Sequence, residues 1–382
     1  MRLLRSIHSA NPATGGTIES VRVMSLALER LGHNVEVLSC DAPDAPFVAN
    51  FPLPLHAIGP GRPGYGSSKA FDAWLDVNLP RFDAVIIEGL WLYNGLGVMR
   101  ALKRMGRKAP PYFVYPHGML DPWFKGQYPL KHFKKLVYWQ LFEKQLLNGA
   151  SRVIFTTEEE QKLAQNTFPG FAAKTEVVPL GIEPPPGDLD ACQFAFYEAF
   201  PVLKGQPFIL FLGRLHEKKG LDMLLEAHAR QPAEPQLVIA GTAASAEEEK
   251  RWRTLAEELA ISTRVHFTGH LGGAPKWGAL AAAEAFVLPS HQENFGVAVV
   301  EALACGTPVL ISDQINIWQP IREAGAAIVE AVNLAGTENL LALWQSLDQD
   351  QRRAIGYAAQ QLYKDRYAAD AAARELLSVL QD

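Results

Sequence analysis

Short apolar runs alternate along the chain with longer stretches in which apolar residues return at helical spacing. Leu3 to Ile7 reads as a buried strand, and a glycine-containing loop from Asn11 to Gly16 follows it. Ile18, Val21, Met24, Leu28 and Leu31 then recur at the period of a helix, which Gly32 ends. His33 to Leu38 is the next strand. A strand, a helix and a second strand in that order imply a parallel sheet. Further buried strands are predicted at Ala84 to Ile87, Tyr112 to Tyr115 and Arg152 to Phe155, with helices at Phe133 to Leu147 and Thr157 to Ala164.

Val178 to Gly187 interrupts the alternation with four prolines and two glycines. Neither a helix nor a central strand continues through such a segment, so it reads as a linker. The pattern then restarts. Strands are predicted at Phe208 to Leu212, Gln236 to Ala240, Arg264 to Thr268, Ala285 to Leu288 and Pro308 to Ile311. Helices are predicted at Leu221 to Arg230, Glu247 to Leu259 and Val297 to Ala304, and Gln351 to Leu380 is helical in pattern. The fold class is therefore α/β, with two doubly wound, Rossmann-like domains. We expect the first to span 1–183, the second 184–357, and a helix over 358–382 to pack back on the first. Ligand sites are expected at the carboxyl ends of the strands.

Composition changes this picture little. The 382 residues suit two domains, since domains run about 100–200 residues. A net charge of -5 gives a nucleic-acid partner no support. Cys40, Cys192 and Cys305 are too few and too scattered for a disulfide framework or a zinc site, which fits a reducing cytoplasm. No run approaches the roughly 18 apolar residues of a membrane span. The amino-terminal apolar run is too short for a signal peptide.

Candidate chemistry concentrates in the second half. In FVLPSHQENFGVAVVEALACGTPVLISD, Phe286 to Asp313, a strand ends at Pro289-Ser290 and a helix opens near Gly296. The helix is apolar nearly all round, so it reads as buried. Glu301 in its middle must then find donors, either ribose hydroxyls or an internal Arg or Lys. Glu293 lies in the preceding loop. Asn294, Phe295, Gly296 and Val297 form the helix start, whose free amides suit an anion. In FILFLGRLHEKKGL, Arg214 and Lys219 follow a strand and offer a guanidinium fork and a point charge for phosphate. Asp188-Leu-Asp190 and Asp348-Gln-Asp350 follow no buried strand and read as surface acids, so no metal site is expected.

These segments resemble glycosyltransferase family 4, retaining enzymes of the two-domain GT-B fold that use nucleotide sugars. The resemblance lies in Glu293-x7-Glu301, in the flanking PS-x-x-E-x-F-G, and in E-A-L-A-C-G-T-P-V. Arg214 and Lys219 match the family's diphosphate-binding pair. Gly15-Gly16 matches its amino-terminal glycine loop, His117 in YPHGML its active-site histidine, and VVPLGIE its linker. The resemblance implies a central cleft faced by both domains, a UDP- or GDP-linked donor, no metal cofactor, and no protein nucleophile. It implies that Glu301 holds the ribose, Glu293 the donor sugar's hydroxyls, and that His117 contacts the sugar. A donor phosphate oxygen would take the acceptor's proton.

The acceptor is expected to be a glycan or a lipid-linked sugar, as in bacterial surface polysaccharide assembly. Trp123 to Lys144 mixes five lysines with aromatic residues and a single glutamate. It reads either as a helix lying on an anionic membrane or as a solvated helix with its aromatics in the core. Two other functions stay open: a sugar-nucleotide epimerase or phosphorylase of the same architecture, and a nucleotide-sugar binding module without catalysis.

Overall fold

A computed structural model describes residues 1–62, 65–122, 129–231 and 235–382. The chain divides into two compact units, Met1–Gly181 with Ala369–Asp382, and Ile182–Ala368.

The first unit holds a seven-stranded sheet in the order β3-β2-β1-β4-β5-β6-β7. Its strands are β1 (Arg2–Ile7), β2 (Asn34–Ser39), β3 (Leu55–Ala57), β4 (Ala84–Glu88), β5 (Tyr112–Tyr115), β6 (Arg152–Phe155) and β7 (Thr175–Val177). Every pairing is parallel. Helices cover both faces of such a sheet, so the central strands β1 and β4 are buried on both faces rather than alternating. The strand order reverses beside β1, and at such a switch point the loops after β1 and β4 leave a crevice.

The helix Ala369–Gln381 completes this unit. Ala372, Ala373 and Leu376 pack in one core with Met24, Ala27 and Leu28 of the helix Gly16–Arg30. Arg30 pairs with Asp370 at 2.7 Å. The segment 358–368, expected with the returning helix, stays with the second unit. There the helix Gln349–Leu362 runs on through a π-helical turn, Tyr363–Tyr367. Tyr363 donates its hydroxyl to the Ile182 carbonyl, and Ile182 N–H donates to the Tyr367 carbonyl.

The long helix expected from Phe133 forms from Pro129 to Asn148, widened by a π-helical turn over Trp139–Glu143. Residues 123–128 of the basic-aromatic stretch lie outside the described residues. Trp139 is fully buried, whereas Phe133, Val137 and Leu141 are exposed. Among the described residues no helix is long and apolar enough to cross a membrane.

The second unit holds a six-stranded parallel sheet, β10-β9-β8-β11-β12-β13. Its strands are β8 (Phe208–Leu212), β9 (Gln236–Ala240), β10 (Val265–Gly269), β11 (Ala285–Leu288), β12 (Val309–Ser312) and β13 (Ala327–Glu330). Two helices, Leu189–Ala199 and Gly273–Ala282, meet backbone to backbone here. A Cβ on Gly278 would lie 2.0 Å from the Cys192 carbonyl oxygen. The substitution Gly278→Ala gains up to about 1 kcal/mol of helix propensity, but the overlap must force the helices apart at about 1–3 kcal/mol. A lower urea midpoint for Gly278→Ala is the expected result, and an unchanged midpoint would show that the helices do not touch there.

Candidate active site

In the second unit, three strand-end loops are tied together. The Lys218 carbonyl, after β8, accepts from the Ser290 hydroxyl at 2.9 Å and from the His291 amide at 2.8 Å, both after β11. The Ser312 hydroxyl, at the end of β12, donates to the Ser290 carbonyl at 2.6 Å. Glu293 and Ile315 form a backbone bridge, in which Asn316 N–H donates to the Glu293 carbonyl at 3.0 Å. These bonds fix the side chains that the loops carry.

The result is a small cluster of charge. Lys219 forms an ion pair with Glu293, and both side chains are mostly buried. Burial, then Lys218 and Arg214, pushes the Lys219 ammonium down to about 8. Glu293 is the carboxylate that opposes this. Arg214 itself is exposed. The helix Val297–Ala304 starts beside Glu293, with Gly296 in the left-handed region at φ 80°. Its first amides have no partner within the helix, and its dipole adds partial positive charge there. Val297 and Ala298 are partly exposed and Phe295 is buried, in edge-on contact with Tyr367 at 5.9 Å. Lys219, with Arg214 near enough to be felt by it, and a helix start gather positive charge about Glu293, a setting that suits a diphosphate.

Glu301 differs from the simplest expectation. The helix is not buried all round: Val299, Val300, Ala302, Leu303 and Ala304 are buried, while Val297, Ala298 and Glu301 form a partly open stripe. Of the two partners foreseen for Glu301, the protein supplies the internal one. Lys276, on the helix Gly273–Ala282, reaches Glu301 Oε1 at 2.6 Å. Asp188 and Asp348 are helix caps. Asp188 accepts from the Asp190 amide and Asp348 from the Gln351 amide, the latter in a capping box.

The first unit holds a second cluster. His117 opens the turn after β5 in a left-handed conformation, φ 50°, uncommon for a residue with a Cβ. Its ring stacks on Tyr115 at 5.5 Å. Its Nε2 meets Glu88 Oε2 at 2.6 Å, and Arg5 Nη2 meets Glu88 Oε1 at 2.6 Å. Burial pushes the Glu88 carboxyl up, but Arg5 and His117 outweigh it and hold it below the usual carboxylate range. With Nε2 facing a carboxylate, a neutral imidazole keeps Nδ1 as its acceptor.

Gly15 closes the loop after β1, and Gly16 opens the helix that follows. Asn11 and Asp41 shape that loop: Asn11 accepts from the Ala13 amide, Asp41 from the Ser9 hydroxyl and the Ala10 amide. Gly15 has φ 99° and ψ -148°, a conformation that favours glycine. Gly16 has an ordinary φ, and a Cβ there would touch nothing within 4 Å. The protein's own packing therefore gives no reason for glycine at 16.

The structure thus gathers Arg214, Lys219, Glu293, Asn294, Phe295, Gly296, Val297 and Glu301 in one unit, and His117, Gly15 and Gly16 in the other. Arg5, Glu88 and Lys276 escaped the sequence reading. A signal existed for two of them. Arg5 sits inside an apolar strand and Glu88 closes another, and buried opposite charges in neighbouring strands imply each other.

Comparison with known proteins agrees with this division. Residues 196–362 match the family model described as Glycosyl transferases group 1, and residues 15–181 match the Glycosyl transferase 4-like domain. A D-inositol 3-phosphate glycosyltransferase of Mycolicibacterium smegmatis is 34% identical over 173 residues, covering 44% of this chain and 39% of that protein. The chain spans less than two thirds of the length of the curated relatives it matches. Anabaena HepE in complex with UDP superposes with a TM-score of 0.76 at 18% identity, covering 100% of both chains. Sucrose-phosphate synthase from Thermosynechococcus elongatus gives 0.74 at 21% identity, covering 100% of this chain and 98% of that one. The architecture is GT-B.

The two clusters of the first unit make opposite demands on stability. Glu88→Gln leaves Arg5 buried without its counter-charge and is expected to cost about 3–5 kcal/mol in urea denaturation. Gly16→Ala is expected to leave stability within about 0.5 kcal/mol, or to raise it slightly. A large loss for Gly16→Ala would show that the loop's own packing requires the glycine.

Proposed function

The chain belongs to glycosyltransferase family 4, and from that premise we propose that it transfers a sugar from a UDP- or GDP-linked donor to a glycan or lipid-linked acceptor with retention of configuration. The observation that carries this reading is the meeting of Arg214, Lys219 and Glu293 with an open helix start at the carboxyl ends of β8, β11 and β12. The similar HepE structure, which holds UDP, supports a nucleoside diphosphate as the donor's leaving group.

As the glycosidic bond breaks, negative charge grows on the β-phosphate and the sugar gains oxocarbenium character. Arg214, Lys219 and the amides at Gly296 and Val297 stabilise that charge. Such preorganised donors do the most where water is excluded. The cationic pair takes the part that a metal plays in other transferases. Glu293 accepts from the sugar's hydroxyls. Lys276 holds one oxygen of Glu301, and the other accepts from the ribose. His117, fixed by Glu88 and Arg5, contacts the donor sugar, and Gly16 leaves space for the donor phosphate or acceptor. The acceptor attacks the face that the leaving group vacates, and a phosphate oxygen receives its proton. No protein nucleophile is involved.

The experiment is a thermal-shift titration with UDP and GDP. A ligand at a hundred times its Kd stabilises by about 2.7 kcal/mol. One of the two nucleotides is expected to raise the melting temperature of the wild type and to lose most of that effect in Lys219→Ala. Because Lys219 titrates at about 8, it is charged below that pH and loses its proton above it. The phosphates, with a last ionisation near about 6, do not change charge in that range. Affinity should therefore fall between about pH 7 and pH 9. An equal shift in Lys219→Ala would overturn the phosphate assignment.

On the acceptor side, Phe133, Val137 and Leu141 stand exposed on successive helical turns next to Lys134. An apolar stripe beside lysine suits an anionic membrane surface. The reading sets the protein in the cytoplasm, against the inner face of the membrane, in surface polysaccharide assembly. Flotation with anionic liposomes at low salt is expected, and replacing all three apolar residues by serine should abolish it. A wild-type protein that stays at the bottom of the gradient would refute the membrane contact.

A further inference from the structure

The second unit carries a second pocket, at the other end of its sheet. It has a volume of about 760 Å³, within the range of ligand sites. Glu284 and Pro308 line it, and they immediately precede β11 and β12. The Lys219–Glu293 cluster follows the opposite ends of β8 and β11. A four-residue strand such as β11 separates the two by roughly 13 Å, at about 3.3 Å per residue. The pocket is thus not an extension of the diphosphate site.

Its lining mixes apolar surface with polar groups, and its charges are paired. Arg352 is held three ways: by Glu284 at 3.0 Å, by the Trp344 carbonyl at 3.2 Å, and by the Trp344 ring beneath it at 4.6 Å. Arg353 faces Asp350 at 3.4 Å. Each guanidinium already has a carboxylate, so a phosphate would find little uncompensated charge. Gln349 and Gln360 add carboxamides, each of which offers a donor and an acceptor. Tyr357 projects from the same helix face, one turn beyond Arg353, and is 74% exposed. Its ring stands open to solvent at the rim of the pocket, where a ligand can lie against it.

We propose that this pocket binds a neutral saccharide. A sugar ring presents an apolar C–H face and an edge of vicinal hydroxyls. Tyr357 takes the face, and the planar amide and guanidinium groups take pairs of hydroxyls. A wholly apolar ligand would strand the carboxamides and guanidiniums, and an anion would compete with Glu284 and Asp350 for the same cations. The binding stands apart from the proposed transfer reaction. Its use rests on that reading: a glycan held here keeps its growing end near the enzyme through successive transfers.

Saturation-transfer difference NMR on the whole protein tests the proposal, with maltotetraose, cellotetraose and tri-N-acetylchitotriose as probes. At least one is expected to bind the wild type and Lys219→Ala alike, which separates this site from the donor site. Tyr357→Ala should weaken that binding by about tenfold or more, while Tyr357→Trp retains it. The side chain is exposed, so an unchanged melting temperature is expected for both variants. No contact with any of the three saccharides would overturn the proposal. So would binding that Lys219→Ala abolishes, or that Tyr357→Ala leaves unchanged. Inorganic phosphate displacing the saccharide would also overturn it, since the pocket would then be an anion site.

Discussion

Confined positive charge is the constraint on which the second unit depends. Arg214, Lys218 and Lys219 lie within six residues of one another, and burial first, then the repulsion of Lys218 and Arg214, lowers the proton affinity of Lys219. A flexible loop would relieve that repulsion by spreading. This one is prevented from doing so, because the Lys218 carbonyl is bonded to the loop after β11, which is bonded in turn to the end of β12. Glu293 offsets the repulsion only in part. The sheet's stability is thus used to hold these cations together against their repulsion.

The first unit solves a related problem with the opposite outcome. Arg5 and Glu88 are both almost fully buried, a costly arrangement unless each neutralises the other. Here the charges cancel inside the protein, and what reaches the crevice is not charge but orientation. Glu88 holds the His117 ring by one nitrogen, and Tyr115 holds it by its face. One cluster confines charge, the other keeps a ring still.

Central strands were readable because burial on both faces demands unbroken apolar runs. β5, β6, β8, β9 and β11 have the predicted bounds. β3, β7 and β13 passed unnoticed. Each is an edge strand, has three or four residues, and is only partly buried, so it needs no such run. Helices such as Lys69–Asn78 and Tyr93–Met105 were missed where polar residues and glycines blur the period. In the candidate site, residues set by local sequence were legible: a strand end, a glycine, an acid at fixed spacing. Lys276 was not, since it reaches Glu301 from a separate helix, and only the tertiary fold joins them.

The route of the chain has a consequence for its synthesis. The first unit's core includes Leu3 and Met24 at one end of the sequence and Ala372, Leu376 and Leu380 at the other. A ribosome delivers residues in order, so the second unit, continuous from Ile182 to Ala368, is complete while the first still lacks a helix. During that interval the exposed flank of the helix Gly16–Arg30 is apolar and uncovered. The nascent protein is therefore vulnerable to aggregation through its first unit, and chaperone capture should concentrate there until the helix Ala369–Gln381 arrives.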